Sequence, residues 1–280
     1  MSSSDEIRET QRRTWDDLSS LWDKWDAVIM RQLAPVGEAM VAAVEAADDH
    51  HVLDVASGTG EPGLTIAVQV PRGRVVLSDL SPQMLEVAVR RASARGLGNV
   101  ETSVCSADDL PFADASFDAV TARFGYMFFP ELDTATAEMA RVLRPGGRLA
   151  ASVWAGRVDN PWATIVVDAV GEEAQLPPPP PGAPGVFRCS APGLVPSLLA
   201  DAGLRDVQEV DVPVVVEAGS PELGWEVLSE HVAPAAAALA RLDDAGRARV
   251  RERVVERLHG FRVDGGVRVP GLARVAVGTR

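Results

Sequence analysis

Lysine is almost missing from this chain: Lys24 stands alone, and every other basic residue is an arginine. Tyrosine is as scarce, with Tyr126 its one instance. Because the two lie far apart in the chain, a Tyr-x-x-x-Lys dehydrogenase dyad is excluded. Cysteine is confined to Cys105 and Cys189, without C-x-x-C spacing, so no disulfide framework is indicated. Cys105 reads as a small apolar residue in a buried strand, and the cytoplasm is the expected compartment. No His, Cys or carboxylate cluster has metal-ligand spacing, so no metal is expected. Positive charge is in deficit: 27 basic residues face 40 acidic ones, a net charge of −13. That balance argues against contact with a phosphate backbone, and hence against a nucleic-acid partner. No apolar run of membrane-spanning length is free of charge or proline. The polar stretch Met1 to Gln11 is not a signal sequence. No membrane partner is expected, and the protein should be soluble.

What is present is apolar enough to matter. A hydrophobic share of 46% in 280 residues supports one sizeable domain, with or without a cap. The most informative stretch is Val52 to Gly63, Val-Leu-Asp-Val-Ala-Ser-Gly-Thr-Gly-Glu-Pro-Gly. A short apolar run ends at an acid, passes through small residues, and meets a proline that suits a first helical turn. This predicts a strand, a tight loop and a helix. Gly58 and Gly60 would let a ligand approach the backbone closely, because no Cβ stands in the way. Gly58, Gly60 and Gly63 also satisfy a literal G-x-G-x-x-G, which on its own is as compatible with a dinucleotide as with another nucleotide-like cofactor. A second buried-strand pattern, Val75 to Leu80, carries Asp79 near its end, where an acid can hold ribose hydroxyls. Ser81-Pro82 then opens a helix, with Ser as N-cap and Pro at the first helical position.

Further along come Asp108-Asp109-Leu110-Pro111-Phe112, Ser116-Phe117-Asp118 and Arg141-Val142-Leu143-Arg144-Pro145-Gly146-Gly147. In this order and at these spacings, from about Val52 to Trp154, the chain resembles class I S-adenosylmethionine (SAM) dependent methyltransferases. The resemblance is to the ubiquinone and menaquinone biosynthesis branch. It implies SAM as cofactor and S-adenosylhomocysteine as product. Dehydrogenases have no counterpart to the Leu-Pro-Phe and Leu-Arg-Pro-Gly-Gly elements. Nor is there the Pro-Pro-aromatic element of DNA methyltransferases; Asn160-Pro161-Trp162 lacks its second proline and reads as a turn.

Strands are expected near residues 52–56, 75–79, 100–105, 117–121 and 148–154, then from Val207 to Val216 and from Val267 to Val277. Strands alternating with helices mean a doubly wound α/β sheet. The resemblance makes it Rossmann-like and seven-stranded, mostly parallel with the last strand antiparallel, beneath a helical cap. The expected organisation is N-terminal helices over the site in residues 1–47 and a SAM-binding core in 48–155. A Pro-rich insertion follows in 156–196, then a core helix and strand in 197–217, a helical cap insertion in 218–262 and a final strand in 263–280. Residues before about Gln11 are expected to be frayed, and the insertion with its run Pro177 to Pro181 to be a loop or rigid spacer.

The resemblance carries Asp54, Ala56, Ser57, Gly58 and Gly60 to the methionine and ribose end of the cofactor. Asp79 becomes the ribose acid, Leu80 an adenine face, and Met84 either an adenine neighbour or plain core. Ser106, Ala107 and Asp108 fall on the adenine side, where Ser106 stands in the place of the family's more usual Asp. Arg123 and Phe124 follow the fourth strand, at the methionine and acceptor junction. Met127, Phe128, Trp22 and Trp25 are candidates for the acceptor side, with simple packing as the competing role. Methyl transfer needs alignment above all, and a base only if the acceptor must lose a proton. His231 and Tyr126 are the candidates for such a group.

These readings converge on methyl transfer from SAM to carbon or oxygen of a small, largely apolar acceptor, whether quinone-like, aromatic, polyketide or terpenoid. Two rivals are a methyltransferase-fold enzyme that uses SAM structurally for cyclisation or decarboxylation, and an NAD-dependent oxidoreductase. A third is a binding module without catalysis. A monomer and a homodimer both stay open.

Overall fold

The computed structural model describes residues 4–175, 180 and 182–280, with the side chains of residues 231, 233, 234 and 237 outside that description. The strands are β1 (His51–Val55), β2 (Arg74–Asp79), β3 (Val100–Val104), β4 (Phe117–Arg123), β5 (Leu143–Trp154), β6 (Arg205–Ala218), β7 (Arg262–Val263) and β8 (Gly266–Thr279). They form one sheet in the order β3-β2-β1-β4-β5-β8-β6, with β7 appended to β8. Pairing from β3 to β5 is parallel, while β8 runs antiparallel to both its neighbours. This is the expected doubly wound α/β sheet, and β7 is a two-residue addition to it.

The helices are α1 (Ser4–Lys24), α2 (Asp26–Val44), α3 (Gly63–Gln69), α4 (Pro82–Ala94), α5 (Leu132–Val142), α6 (Pro161–Ala174), α7 (Leu194–Asp201), α8 (Pro221–His231), α9 (Ala233–Leu239) and α10 (Asp244–His259). Local sequence sets several of their starts. The Ser81 hydroxyl accepts from Met84 N–H at 3.1 Å and Pro82 occupies the first turn of α4. Ser220 and Asp243 cap α8 and α10 in the same way.

The core lies between sheet and helices. Val52, Leu53, Val55, Val75, Val76 and Leu77 are all buried, as parallel strands covered on both faces require. On one face α2 packs against β4, β5, β6 and β8. Among the described residues it alone has the length and apolarity of a membrane span. Its Ile29, Leu33, Val36, Met40 and Val44 are buried. By contrast α1 buries only Leu18 and Ser19 and rests mainly on α4. The chain winds outward from β1 to β3, then crosses to β4 on the other side. That reversal opens a crevice at the carboxyl ends of β1 and β4, where open α/β sheets bind ligands.

Four sequence expectations need correction. The N-terminus is helical from Ser4, so it is ordered well before Gln11. Pro161 does not make a turn; it sits in the first turn of α6, the position where its missing N–H costs nothing. The Pro-rich insertion therefore begins with a helix, while Pro177, Pro178, Pro179 and Pro181 fall outside the described residues. Cys105 lies just past β3 and is half-buried, because β3 is an edge strand.

Candidate active site

A cleft opens at the carboxyl ends of β1, β2 and β4 and encloses about 1240 Å³, its open mouth included.

One end is polar and made by short-range geometry. Ala56, Ser57, Gly58 and Thr59 form its floor. Ala56 and Gly58 adopt φ values of +52° and +53°. No atom lies within 4 Å of where a Cβ on Gly58 would stand, so the backbone there faces open space. Asp79 closes the end of β2. Its Oδ2 accepts from Gly58 N–H and its Oδ1 from Ser81 N–H, both at 2.8 Å. Burial raises the Asp79 carboxyl to about 6, against the pull of these N–H groups. Leu80, Met84, Ser106 and Ala107 continue this wall. The Ser57 and Thr59 hydroxyls are buried here without a hydrogen-bond partner among the described residues. Buried hydroxyls of this kind are completed by a ligand or by water.

The other end is apolar and aromatic. Phe124 stacks on Trp154 at 4.4 Å and 12°, and Trp154 meets Trp162 at 4.7 Å. Asn160 is fully buried and fixes this wall: its Oδ1 accepts from Trp162 Nε1–H and from Leu272 N–H, each at 3.0 Å. Leu33, Met127, Val186 and Val232 complete the surface. Over both ends lies α1, where Trp15 packs edge-on against Phe128 at 5.1 Å. Arg8 reaches Asp108 with two hydrogen bonds of 3.2 and 2.7 Å, and the Asp108 carboxylate is 1% exposed. Ser81 Oγ–H also donates to Asp16 of α1 at 2.6 Å.

Of the residues singled out by sequence, Ala56, Ser57, Gly58, Asp79, Leu80, Met84, Ser106, Ala107, Arg123 and Phe124 line the cleft, as do Trp22, Met127 and Phe128. Others do not. Asp54 is buried beneath the loop, where Oδ1 accepts from Thr121 at 2.7 Å and Oδ2 from Gly63 N–H at 3.0 Å; burial raises it to about 7. It shapes the loop from below and does not line the cleft. Gly60 gives the loop a φ of +109° and belongs to the same support. Asp108 is taken by Arg8, and Ser106 also donates to it. Trp25 donates its indole N–H to Glu230 at 2.6 Å and does not line the cleft. Tyr126 is fully buried and hydrogen-bonded to Thr136 at 3.2 Å, with burial raising its hydroxyl far above the ordinary value. A phenol so placed cannot serve the acceptor. His231 ends α8, and its side chain lies outside the described residues.

Sequence reasoning missed Trp154 and Trp162, whose role depends on β5 and α6 meeting. It also missed Arg8 and Gln11, which belong to the stretch expected to be frayed. Thr59 and Glu61 lie inside the glycine loop and could have been named from it.

The family model for the methyltransferase domain matches residues 52–147. Nocamycin O-methyltransferase of Saccharothrix syringae is 32% identical over 226 residues, spanning 75% of this chain and 79% of that protein. The chain belongs to the SAM-dependent methyltransferase family. Demethylmenaquinone methyltransferase of Thermus thermophilus is 46% identical over 98 residues, 35% of this chain and 44% of that protein. Against several such relatives the match spans about half of their length. The YcgJ protein of Bacillus subtilis shares the fold with a TM-score of 0.59 at 20% identity, covering 87% of this chain and 97% of that one. The [4+2]-cyclase SpnF does so with a TM-score of 0.59 at 19% identity, covering 95% and 96%. At these identities the likeness concerns the fold alone.

The polar end of the cleft fits the family's cofactor. Ser57 and Thr59 present unpartnered hydroxyls, Gly58 leaves the backbone open, and Asp79 offers acceptor oxygens beside the apolar face of Leu80.

Proposed function

We propose that the chain transfers the methyl group of SAM to carbon or oxygen of a small, largely apolar acceptor. The observation that carries this reading is the division of one cleft into a polar end and an aromatic end, with Phe124 at the junction. Relatives named for demethylmenaquinone and for nocamycin are consistent with acceptors of this size and apolarity.

Asp79 would hold the ribose hydroxyls, Leu80 and Met84 the adenine face, and Ser57, Gly58 and Thr59 the amino-acid portion. When bound, SAM supplies an activated methyl electrophile, so the protein needs to contribute alignment more than acid–base chemistry. Phe124, Trp154 and Trp162 would orient a flat acceptor, and α1 would exclude water above it. Among the described residues lining the cleft there is no histidine. Its carboxylates Asp79 and Glu61 are already hydrogen-bonded to the protein. Acceptors that ionise readily are therefore favoured over those that need a strong base.

Incubation of the protein with SAM and a panel of hydroxylated naphthoquinones, phenols and enolic polyketides tests the reading. A methylated product together with S-adenosylhomocysteine is the expected result. Binding of SAM without methyl transfer to any member would point instead to an enzyme that uses the cofactor as a scaffold.

A further inference from the structure

Two cations line the cleft among the described residues, and their circumstances differ. Arg8 is paired with Asp108. Arg123, at the end of β4, has no carboxylate within ion-pair distance among the described residues; its one hydrogen bond is to the Met30 thioether at 3.4 Å. Three acids act on it from further off: Glu61, Asp54 and Asp26. Each has another partner. Glu61 is paired with Arg95 at 2.6 Å and accepts from the Thr65 hydroxyl at 2.7 Å. Asp54 is held by Thr121 and Gly63, and Asp26 is paired with Arg91 at 2.5 Å. Burial pulls the Arg123 guanidinium below its ordinary value.

A guanidinium presents five N–H donors in a fixed fork suited to a carboxylate. Leaving most of them unmatched in a largely apolar cleft is unfavourable unless a ligand completes the pair. We propose that Arg123 receives an anionic oxygen group, a carboxylate or an enolate or phenolate oxygen, of a molecule bound in the cleft. Two sources carry that chemistry: the amino-acid carboxylate of the cofactor and an acidic oxygen of the acceptor. The inference rests on the cleft being the ligand site proposed above, and it adds what one wall of that site recognises. It also accounts for the lack of a described histidine base, because an acceptor held as its anion has already lost its proton.

Calorimetric titration of wild type, Arg123→Gln and Arg123→Lys tests this with three probes. These are S-adenosylhomocysteine, 5′-methylthioadenosine (which lacks the amino-acid carboxylate) and 2-naphthoate. If the cofactor is the source, Arg123→Gln weakens S-adenosylhomocysteine by about 10- to 100-fold, the range of a charge-assisted hydrogen bond, and leaves 5′-methylthioadenosine unchanged. If the acceptor is the source, the loss falls on 2-naphthoate. Arg123→Lys should recover part of either loss. The ligand-free Arg123→Gln protein should melt no lower than wild type, since it loses a partly buried charge that has no carboxylate within ion-pair distance among the described residues. A lower melting temperature with unchanged affinity for all three probes would overturn the proposal and make Arg123 a structural partner of Glu61. Wild type failing to bind S-adenosylhomocysteine would count against the cofactor reading instead, and 2-naphthoate would still decide the role of Arg123.

Discussion

At the β1–β2 end of the cleft, the polar groups come from the loop after β1 and from Asp79, which ends the neighbouring strand. Gly58 N–H and Ser81 N–H hold Asp79, so loop, strand and α4 cap constrain one another through hydrogen bonds of 2.8 Å. At the β4–β5 end, Trp154, Trp162, Leu33 and Val232 arrive from β5, α6, α2 and the α8–α9 junction. They are held by packing and by the buried Asn160. The first end has a geometry set by backbone and can recognise a constant ligand. The second is a set of side chains from separate elements that could change one by one.

The largest test of this contrast is Trp154→Ala. It removes the middle ring of the aromatic wall and should cost about 3–5 kcal/mol of stability. Chemical denaturation would measure the loss. A cost under 1 kcal/mol would show that the wall is not integral to the fold.

A smaller effect is expected from Arg8→Ala, which strips the nearly buried Asp108 of its cation. Discounted for the partial exposure of Arg8, the loss is about 1–2 kcal/mol, read as faster release of S-adenosylhomocysteine in stopped-flow. Added salt should speed release from wild type in the same direction. Release indifferent to both would mean that α1 does not fasten over the cofactor end.

Acidity separates the two ends next. Asp79 accepts best when ionised and its carboxyl is raised to about 6, so affinity for S-adenosylhomocysteine should fall roughly tenfold between pH 7 and pH 5. Stability of the ligand-free fold moves the other way. Asp54 and Asp79 are both raised, so their contribution is fully present below the ordinary carboxylate value and is lost as pH rises through about 6 and 7. Titration calorimetry and melting curves across that window would show opposite slopes. Parallel slopes would contradict the assignment of Asp79.

The smallest effect is that of Tyr126→Phe. Loss of the hydrogen bond to Thr136 should cost about 1 kcal/mol of stability and leave turnover unchanged. A large loss of turnover with intact folding would restore Tyr126 to the chemistry.

This contrast also explains what could be read from the residues alone. Asp79, Ser57 and Gly58 lie within short motifs whose strand, loop and cap signals are local, so their convergence was legible. Tyr126 attracted notice because it is the only tyrosine, but a short 3₁₀ turn over Tyr126–Phe128 turns it into the core. Trp162 was obscured because a proline after Asn suits a turn and the first turn of a helix equally. Arg8 gave no apolar periodicity, since its part of α1 is fastened by polar contacts to partners 65 to 100 residues away. The sheet was legible because its buried runs are continuous; the aromatic wall was not, because it exists only where distant elements meet.

The most direct measurement is titration of S-adenosylhomocysteine into wild type, Asp79→Ala and Trp154→Leu, each verified as folded. The account predicts tight binding by wild type, a loss of about 100-fold in Asp79→Ala and little change in Trp154→Leu. Equal losses in both variants, or no binding by folded wild type, would contradict the division of the cleft into a cofactor end and an acceptor end.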